Sequence, residues 1–249
     1  MASLPPNAPF SLAQKAKAYH IAVHPADSVL DPPESYLLVQ TLLMLFTALL
    51  WTMANLFYSI RTFRDHKSAM PFHCLYANLA WDLFYWIAIA STPFERYGFG
   101  AWLVSDLVHA AITVRYEYPG QMWQAMRKIC FGVCVFVFGF WILSVLNPDY
   151  QSSAIASGHL LCTAISWGSV YDIVRRKEMK GHSLEIWCAR TLGTIFALLT
   201  VMWRYLNVPD NWLYVVQPWA LALMIACILG DSVYLVIYLT RKMKKSKTL

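Results

Sequence analysis

Four acidic side chains, Asp82, Asp106, Glu185 and Asp231, stand inside long apolar stretches of this 249-residue chain. An ionisable group at membrane depth costs roughly 2.5–3.5 kcal/mol on insertion scales, so its retention marks either function or a buried pairing. Two of the four repeat a local pattern, Asp82-Leu83-Phe84-Tyr85 and Asp231-Ser232-Val233-Tyr234. In a helix the tyrosine three residues on shares the face of the carboxyl, and Asn78 lies on the face of Asp82 one turn earlier. A carboxyl flanked by an amide and a phenol in hydrocarbon is suited to hold a proton and donate it. The competing reading makes each aspartate hydrogen-bonding glue between helices. Arg190, inside an apolar run of its own, is expected either to order one of the acids or to bind a polar group of a ligand, since its planar fork suits both. A snorkelling arginine at the membrane surface is the alternative. His109 and His159 read as satisfied bundle residues.

The elements that must position these groups are membrane helices. Hydrophobic residues make up 58% of the chain and charged residues only 14%, against about 25% charged in a soluble globule. That composition excludes a disordered chain, a secreted disulfide scaffold and an ordinary cytosolic enzyme. Apolar runs of about 20 residues fall near 36–60, 71–93, 98–114, 129–147, 154–174, 184–206 and 212–239. The expected fold is therefore all-α, a bundle of seven transmembrane helices over 36–240. A polar tail over 1–35 precedes it and a basic tail over 241–249 follows, with no internal linker.

Outside the spans, Lys15, Lys17 and Arg96 lie on the side of the N-terminal tail, and fifteen Lys and Arg lie on the other side. That bias places the C-terminus in the cytosol and the N-terminus in a lumen or outside the cell. The net charge of +6 is thus a topology signal, and no nucleic-acid partner is expected. At 1.5 Å per residue, Asp82 lies about 16 Å into its span, Asp231 about 15 Å from the cytosolic end of the last, and Arg190 about 10 Å into the sixth. Asp106 is mid-span, so one shared cavity would account for the buried charges. The six cysteines form no Cys-x-x-Cys pair, and neither a disulfide nor a metal site is expected.

Several motifs together carry a family resemblance. Asn78 to Tyr85, with Trp81 and Asp82, resembles the N-x-x-W-E-x-x-Y signature of the small integral-membrane terpene cyclases of fungal meroterpenoid and indole-diterpene biosynthesis. Lys180-Gly181-His182-Ser183, followed by Trp187, Arg190, Gly193 and Thr194, resembles that family's R-G-x-S-x-x-x-W-x-x-R-x-x-G run. Trp203-Arg204 matches its W-R pair, and Asp231 to Tyr234 its late D-x-x-Y. Asp82 stands where the family has Glu, and Lys180 where it has Arg. The resemblance covers about residues 36–245.

It implies an enzyme of secondary metabolism, bound to the endoplasmic reticulum, that cyclises a prenylated and usually epoxidised aromatic or polyketide-derived compound. A prenyltransferase and an epoxidase would act upstream, and no cofactor is needed. Asp82 and Asp231 would be the catalytic acids, with Asn78, Trp81, Tyr85, Asp106, Trp187, Arg190 and Tyr234 binding substrate or supporting the acids. Protonation of an epoxide or alkene would launch a carbocation along the chain. Such chemistry needs a dry pocket with electron-rich walls, which gives a use to eleven Trp, fourteen Tyr and thirteen Phe.

Other classes fit less well. Diphosphate-ionising cyclases hold magnesium with clustered acids, and no two acidic residues here are adjacent. A retinal protein needs a lysine in its last span, and none lies between Trp212 and Thr240. A seven-span receptor or small-solute transporter matches the span count alone.

Overall fold

A computed structural model describes residues 34–90, 92–147 and 149–246. The chain there is all-helical, with no strand among the described residues. Seven long helices follow in order: α1 (Glu34–Asp65), α2 (Phe72–Phe84), α3 (Pro93–Glu117), α4 (Met122–Leu146), α5 (Tyr150–Arg176), α6 (Leu184–Asn207) and α7 (Pro218–Ser246). Five of them, α1, α3, α4, α6 and α7, are long and apolar enough to cross a bilayer.

The other two fall short, one in length and one in apolar character. α2 has only 13 residues and runs directly into a π-helical turn, Tyr85–Ile89. α5 is longer but carries Ser152, Ser153, Ser157, His159, Ser166 and Ser169, all buried. The outward surface is the inverse of a soluble protein's: Phe131, Leu146, Leu206 and Ile225 are each at least 65% exposed, as lipid-facing side chains must be. Buried polar groups and close approach at small residues then hold the helices together. Gly132 of α4 lies against the ring of Tyr76 on α2, Gly193 of α6 against Trp51 of α1, and Gly230 of α7 against Ser166 and Trp167 of α5.

Helix ends follow local chemistry. Thr92 caps α3, accepting from Glu95 N at 3.2 Å, with Pro93 in the first turn. Asp149 caps α5 through Gln151 N and Ser152 N, and Ser183 caps α6 through Ile186 N. The third helix therefore starts earlier than the expected 98 and ends later than 114. The expected last span, 212–239, is broken, because Pro209–Trp212 forms a short helix and Leu213–Val216 a 3₁₀ turn before Pro218 opens α7. α7 then continues to Ser246, through most of the segment expected as a basic tail. The expected N-terminal tail, except Glu34 and Ser35, lies outside the described residues.

The lysine- and arginine-rich connections meet at one end of the bundle, the basic end. Gly181 N donates to Asp65 Oδ2 at 2.7 Å. Its positive φ of 81° and the 2.4 Å that a Cβ would leave to Lys67 O restrict this position to glycine. Glu117, its side chain 5% exposed, pairs with Lys67 at 2.9 Å and accepts from Ser68 N. Arg176 bridges to Asp172 at 2.7 Å, and His182 meets the same carboxylate at 3.3 Å. The Lys180 to Ser183 run is thus a glycine turn followed by a helix cap. Trp203 and Arg204 brace the opposite end, with Trp203 Nε1 donating to Tyr36 O and the Arg204 guanidinium lying 4.5 Å from the centre of the Trp212 ring.

Candidate active site

Between α1, α2, α3, α5 and α6 lies a cavity of about 270 Å³. Its walls are aromatic: Trp51, Trp81, Phe94, Phe99 and Trp102. Its polar groups include Asn55, Asn78, Asp82, His159 and Thr194. Helix geometry sets their depth. Asn55 is ten residues from the basic end of α1, Asp82 ten from the start of α2 and Thr194 ten from the start of α6, so each stands about 15 Å above the basic end. The cavity extends from that layer toward the far end, past Met44 on α1 and Phe94 on α3.

The W-D-x-x-Y run of α2 is fixed from two sides. Ser157 of α5 bonds its own helix through Ser153 O at 2.7 Å, leaving its oxygen to accept from Trp81 Nε1 at 3.0 Å and to meet the Tyr85 hydroxyl at 3.0 Å. Trp81 and Tyr85 pack against each other at a tilt of 37° with ring centres 4.6 Å apart, and Phe99 closes on both. Trp81 and Asp82 face the cavity, whereas Tyr85 stands behind the wall.

Asp82 is 2% exposed, and its neighbour is Asp106 of α3. Neither Asp82 Oδ2 nor Asp106 Oδ1 meets a donor among the described residues. Asn78 donates to Asp106 Oδ2. The amide expected to serve Asp82 thus serves the carboxyl behind it, because α3 brings Asp106 across the turn of α2 that Asn78 occupies. One turn toward the basic end, His109 Nε2 lies 3.2 Å from Ser68 Oγ and its ring stacks on Tyr58. His159 bonds the Ile155 carbonyl through Nδ1 at 2.7 Å.

Asp231 is elsewhere. Its Oδ1 accepts from Arg190 Nη2 and from Ser166 Oγ, the latter at 2.6 Å. Thr191 Oγ1 donates to Oδ2 at 3.0 Å, and Trp187 Nε1 to the Asp231 backbone carbonyl at 2.9 Å. Arg190 also donates to the Tyr58 hydroxyl at 2.9 Å, and its guanidinium lies 5.4 Å from the centre of the Tyr234 ring. Tyr234 in turn meets His182 Nδ1 at 3.3 Å. Arg190 and Tyr58 lie one turn closer to the basic end than Thr194 and Asn55, so this paired-charge layer runs beneath the cavity.

The single shared cavity expected for the buried charges is therefore not what forms. Asp82 lines it, Asp106 backs Asp82, and Arg190 and Asp231 neutralise each other in the packed layer below. A guanidinium that is 1% exposed needs a counter-charge at contact distance more than it needs a cavity. Glu185 is not at membrane depth either. It sits in the first turn of α6 with its side chain 56% exposed, paired with Arg61 at 3.3 Å, where a carboxylate suits a helix N-terminus. Trp187 and Tyr234 support the Asp231 layer and do not reach the cavity.

Asn55 was not singled out by the sequence, and Thr194 stood only as the last residue of a motif run, with no role assigned. A neutral polar residue inside an apolar run carries little cost and gives little signal, and only the meeting of α1 with α6 puts the two on one wall.

The described residues thus form a bundle of apolar helices around an aromatic cavity with a buried acid in its wall, the architecture of an integral membrane protein with an internal site. The protein belongs to the Pyr4-like transmembrane terpene cyclases, whose family model matches residues 26–244. It is similar to the Pyr4-family terpene cyclase mfmH of Annulohypoxylon moriforme, 28% identical over 92% of this chain and 98% of the relative. It is also similar to terpene cyclase macJ of Penicillium terrestre, 27% identical over 78% of this chain and 79% of the relative. Terpene cyclase andB of Emericella variicolor is 27% identical over 78% of this chain and 85% of its own length. No solved structure matches the chain. The protein is a membrane-bound terpene cyclase of secondary metabolism, and a receptor or transporter is not favoured.

Proposed function

We propose that this cyclase protonates the terminal epoxide of a prenyl chain carried on an aromatic or polyketide-derived head, and that it needs neither metal nor redox cofactor. Asp82 is the proton donor. The observation that carries this is the position of its carboxyl in the wall of an aromatic cavity, buried, without a cationic partner among the described residues, and backed by a second carboxyl. One proton between Asp82 and Asp106 satisfies two oxygens that otherwise meet no donor, and Asn78 holds the second carboxyl in place. When the epoxide oxygen takes that proton its C–O bond breaks, and neighbouring alkenes attack the resulting cation in turn. The faces of Trp51, Trp81, Phe99 and Trp102 stabilise the positive charge without reacting with it, each by about 0.5–2 kcal/mol. Loss of a proton from carbon ends the cascade, and the carboxylate left on the Asp82–Asp106 pair takes it back, so the product is an isomer of the substrate.

Asp231 serves as a positioning residue. As a carboxylate fixed by Arg190, Ser166 and Thr191 it sets the rigid layer on which the polar end of the cavity rests. Trp187 and Tyr234 hold that layer, and Tyr85 holds Trp81. The enzyme crosses the endoplasmic reticulum membrane seven times as one domain with its C-terminus in the cytosol, and takes its substrate from an upstream prenyltransferase and epoxidase. Glycosylation tags at residues 5 and 249 test that orientation, with modification expected at the first alone.

Incubating membranes with terminally epoxidised farnesyl phenols in the presence of EDTA tests the reaction. Cyclisation is expected to persist in EDTA and to fall by about 10²–10⁴-fold in Asp82→Asn, which is nearly isosteric and keeps the fold. Abolition by EDTA overturns the metal-free mechanism. Wild-type turnover in a well-inserted Asp82→Asn variant overturns the assignment of the donor.

A further inference from the structure

Five threonine hydroxyls on these helices, those of Thr47, Thr52, Thr163, Thr200 and Thr240, donate to the carbonyl four residues earlier at 2.7–2.8 Å. This is the ordinary way for a helical threonine to satisfy itself in an apolar setting. Thr194 departs from it. Its hydroxyl is buried, lines the cavity and has no partner among the described residues. Asn55 matches it from the facing helix: the residue is 2% exposed, lines the same cavity, and its Oδ1 accepts from no donor among the described residues. Elsewhere a buried polar atom without a partner costs about 1–3 kcal/mol, so two on one wall point to a ligand that supplies the missing bonds.

The two are held side by side. Gly193 lets Trp51 of α1 lie directly on α6, where a Cβ would approach the indole to 2.8 Å. One turn below, Arg190 Nη1 donates to the Tyr58 hydroxyl at 2.9 Å and ties the same two helices together. Thr194 and Asn55 are the next residues up on the facing sides of this clamp, at the depth of Asp82 about 15 Å above the basic end. Asp82 faces the same cavity from α2.

We propose that Asn55 and Thr194 form an oxygen-binding subsite that receives the hydroxyl created when the epoxide opens. This rests on the reading of Asp82 as the donor to an epoxidised chain. The Thr194 hydroxyl donates to the epoxide oxygen and orients it toward Asp82. As Asp82 transfers its proton, the C–O bonding electrons pass to oxygen and the new O–H donates to Asn55 Oδ1. That second bond does not exist in the bound substrate and forms only as the ring opens, which is the kind of interaction that lowers a barrier instead of merely tightening binding. A terminal alkene makes no oxygen and draws no such help, so the subsite sets the preference between the two kinds of chain.

Two unreactive probes test this on purified full-length protein in detergent: a farnesyl phenol whose terminal alkene is hydrated to an alcohol, and the same chain saturated at that position without oxygen. Binding is read by quenching of tryptophan fluorescence. The ratio of the two dissociation constants is expected to shift about tenfold against the alcohol in both Asn55→Leu and Thr194→Val. The oxygen-free chain should bind as to wild type, which also certifies the fold. Thr194→Ser should restore the wild-type ratio. An unchanged ratio in both variants overturns the subsite and leaves the cyclase reading standing. Equal loss of both probes overturns it in favour of a packing role. Failure of wild type to bind either probe overturns the cavity as a prenyl site, and the subsite with it.

Discussion

Replacing Asp231 with asparagine is expected to unfold the bundle before it alters any chemistry. The carboxylate takes three side-chain hydrogen bonds, from Arg190, Ser166 and Thr191, in a layer where both charged residues are 1% exposed. Asparagine keeps one acceptor oxygen but no charge, so the Arg190 guanidinium is left buried without a counter-charge, bonded to Tyr58, Ser169 and at most one amide oxygen. Breaking a buried pair from one side costs about 3–5 kcal/mol. At roughly 2–4 °C per kcal/mol for a chain of this size, the melting temperature should fall by about 6–20 °C. Two of the six cysteines, Cys74 and Cys227, are buried, so a thiol-reactive dye added to solubilised protein reports the transition as they become accessible. The double variant Arg190→Met with Asp231→Leu removes both charges and should recover most of the loss, since apolar replacement of a buried pair is often neutral. If Asp231→Asn melts with wild type and yet fails to cyclise substrate, the carboxylate acts in the chemistry and its description as a counter-ion is refuted.

Phe99→Leu thins the aromatic wall beside Trp81 and should shift products toward early-quenched or partly cyclised species by about 2- to 30-fold, the equivalent of 0.5–2 kcal/mol of cation stabilisation; product ratios by chromatography decide it. Gly181→Ala puts a Cβ against Lys67 O at a φ of 81° and should cost about 1–3 kcal/mol, read as a lowered melting temperature with unchanged product ratios. At the basic end, burial pushes the His182 imidazole below its ordinary 6.5 despite the pull of Asp172. A histidine harder to protonate folded than unfolded keeps its stability above about pH 6.5 and loses it as pH falls. Melting temperature should therefore drop less between pH 7 and 5 in His182→Gln than in wild type, and parallel curves would refute this.

Much of the fold could be read from the residues because lipid imposes a simple rule: long apolar runs between basic loops become helices. The exceptions are informative. Apolar runs at 71–93 and 154–174 read as spans, but α2 stops after 13 residues at a π-helical turn and α5 carries buried serines and His159 on its inward side, and the break before α7 depends on two prolines that bracket apolar residues. Asp82 was visible because a charge in hydrocarbon is costly wherever it packs. The partner of Asp231 was not. Arg190 and Asp231 are 41 positions apart, and each was as consistent with facing a cavity as with facing the other. Asn78 shows the same limit, since its spacing put it on the face of Asp82 while α3 supplied the carboxyl it binds.

The paired-charge layer also determines how this pocket can change size. In a cavity floored by leucines, trimming one side chain deepens the space by a methylene at a time, and variants can be sampled in small steps. Here an ion pair is packed beneath the cavity, and removing either member alone strands the other. Depth is therefore held at one value until both charges are exchanged together for smaller apolar side chains, when the space of two side chains opens at once. Among proteins built on this plan, chain length accepted by the pocket should vary by jumps, while the aromatic walls above remain free to drift and alter which ring closes.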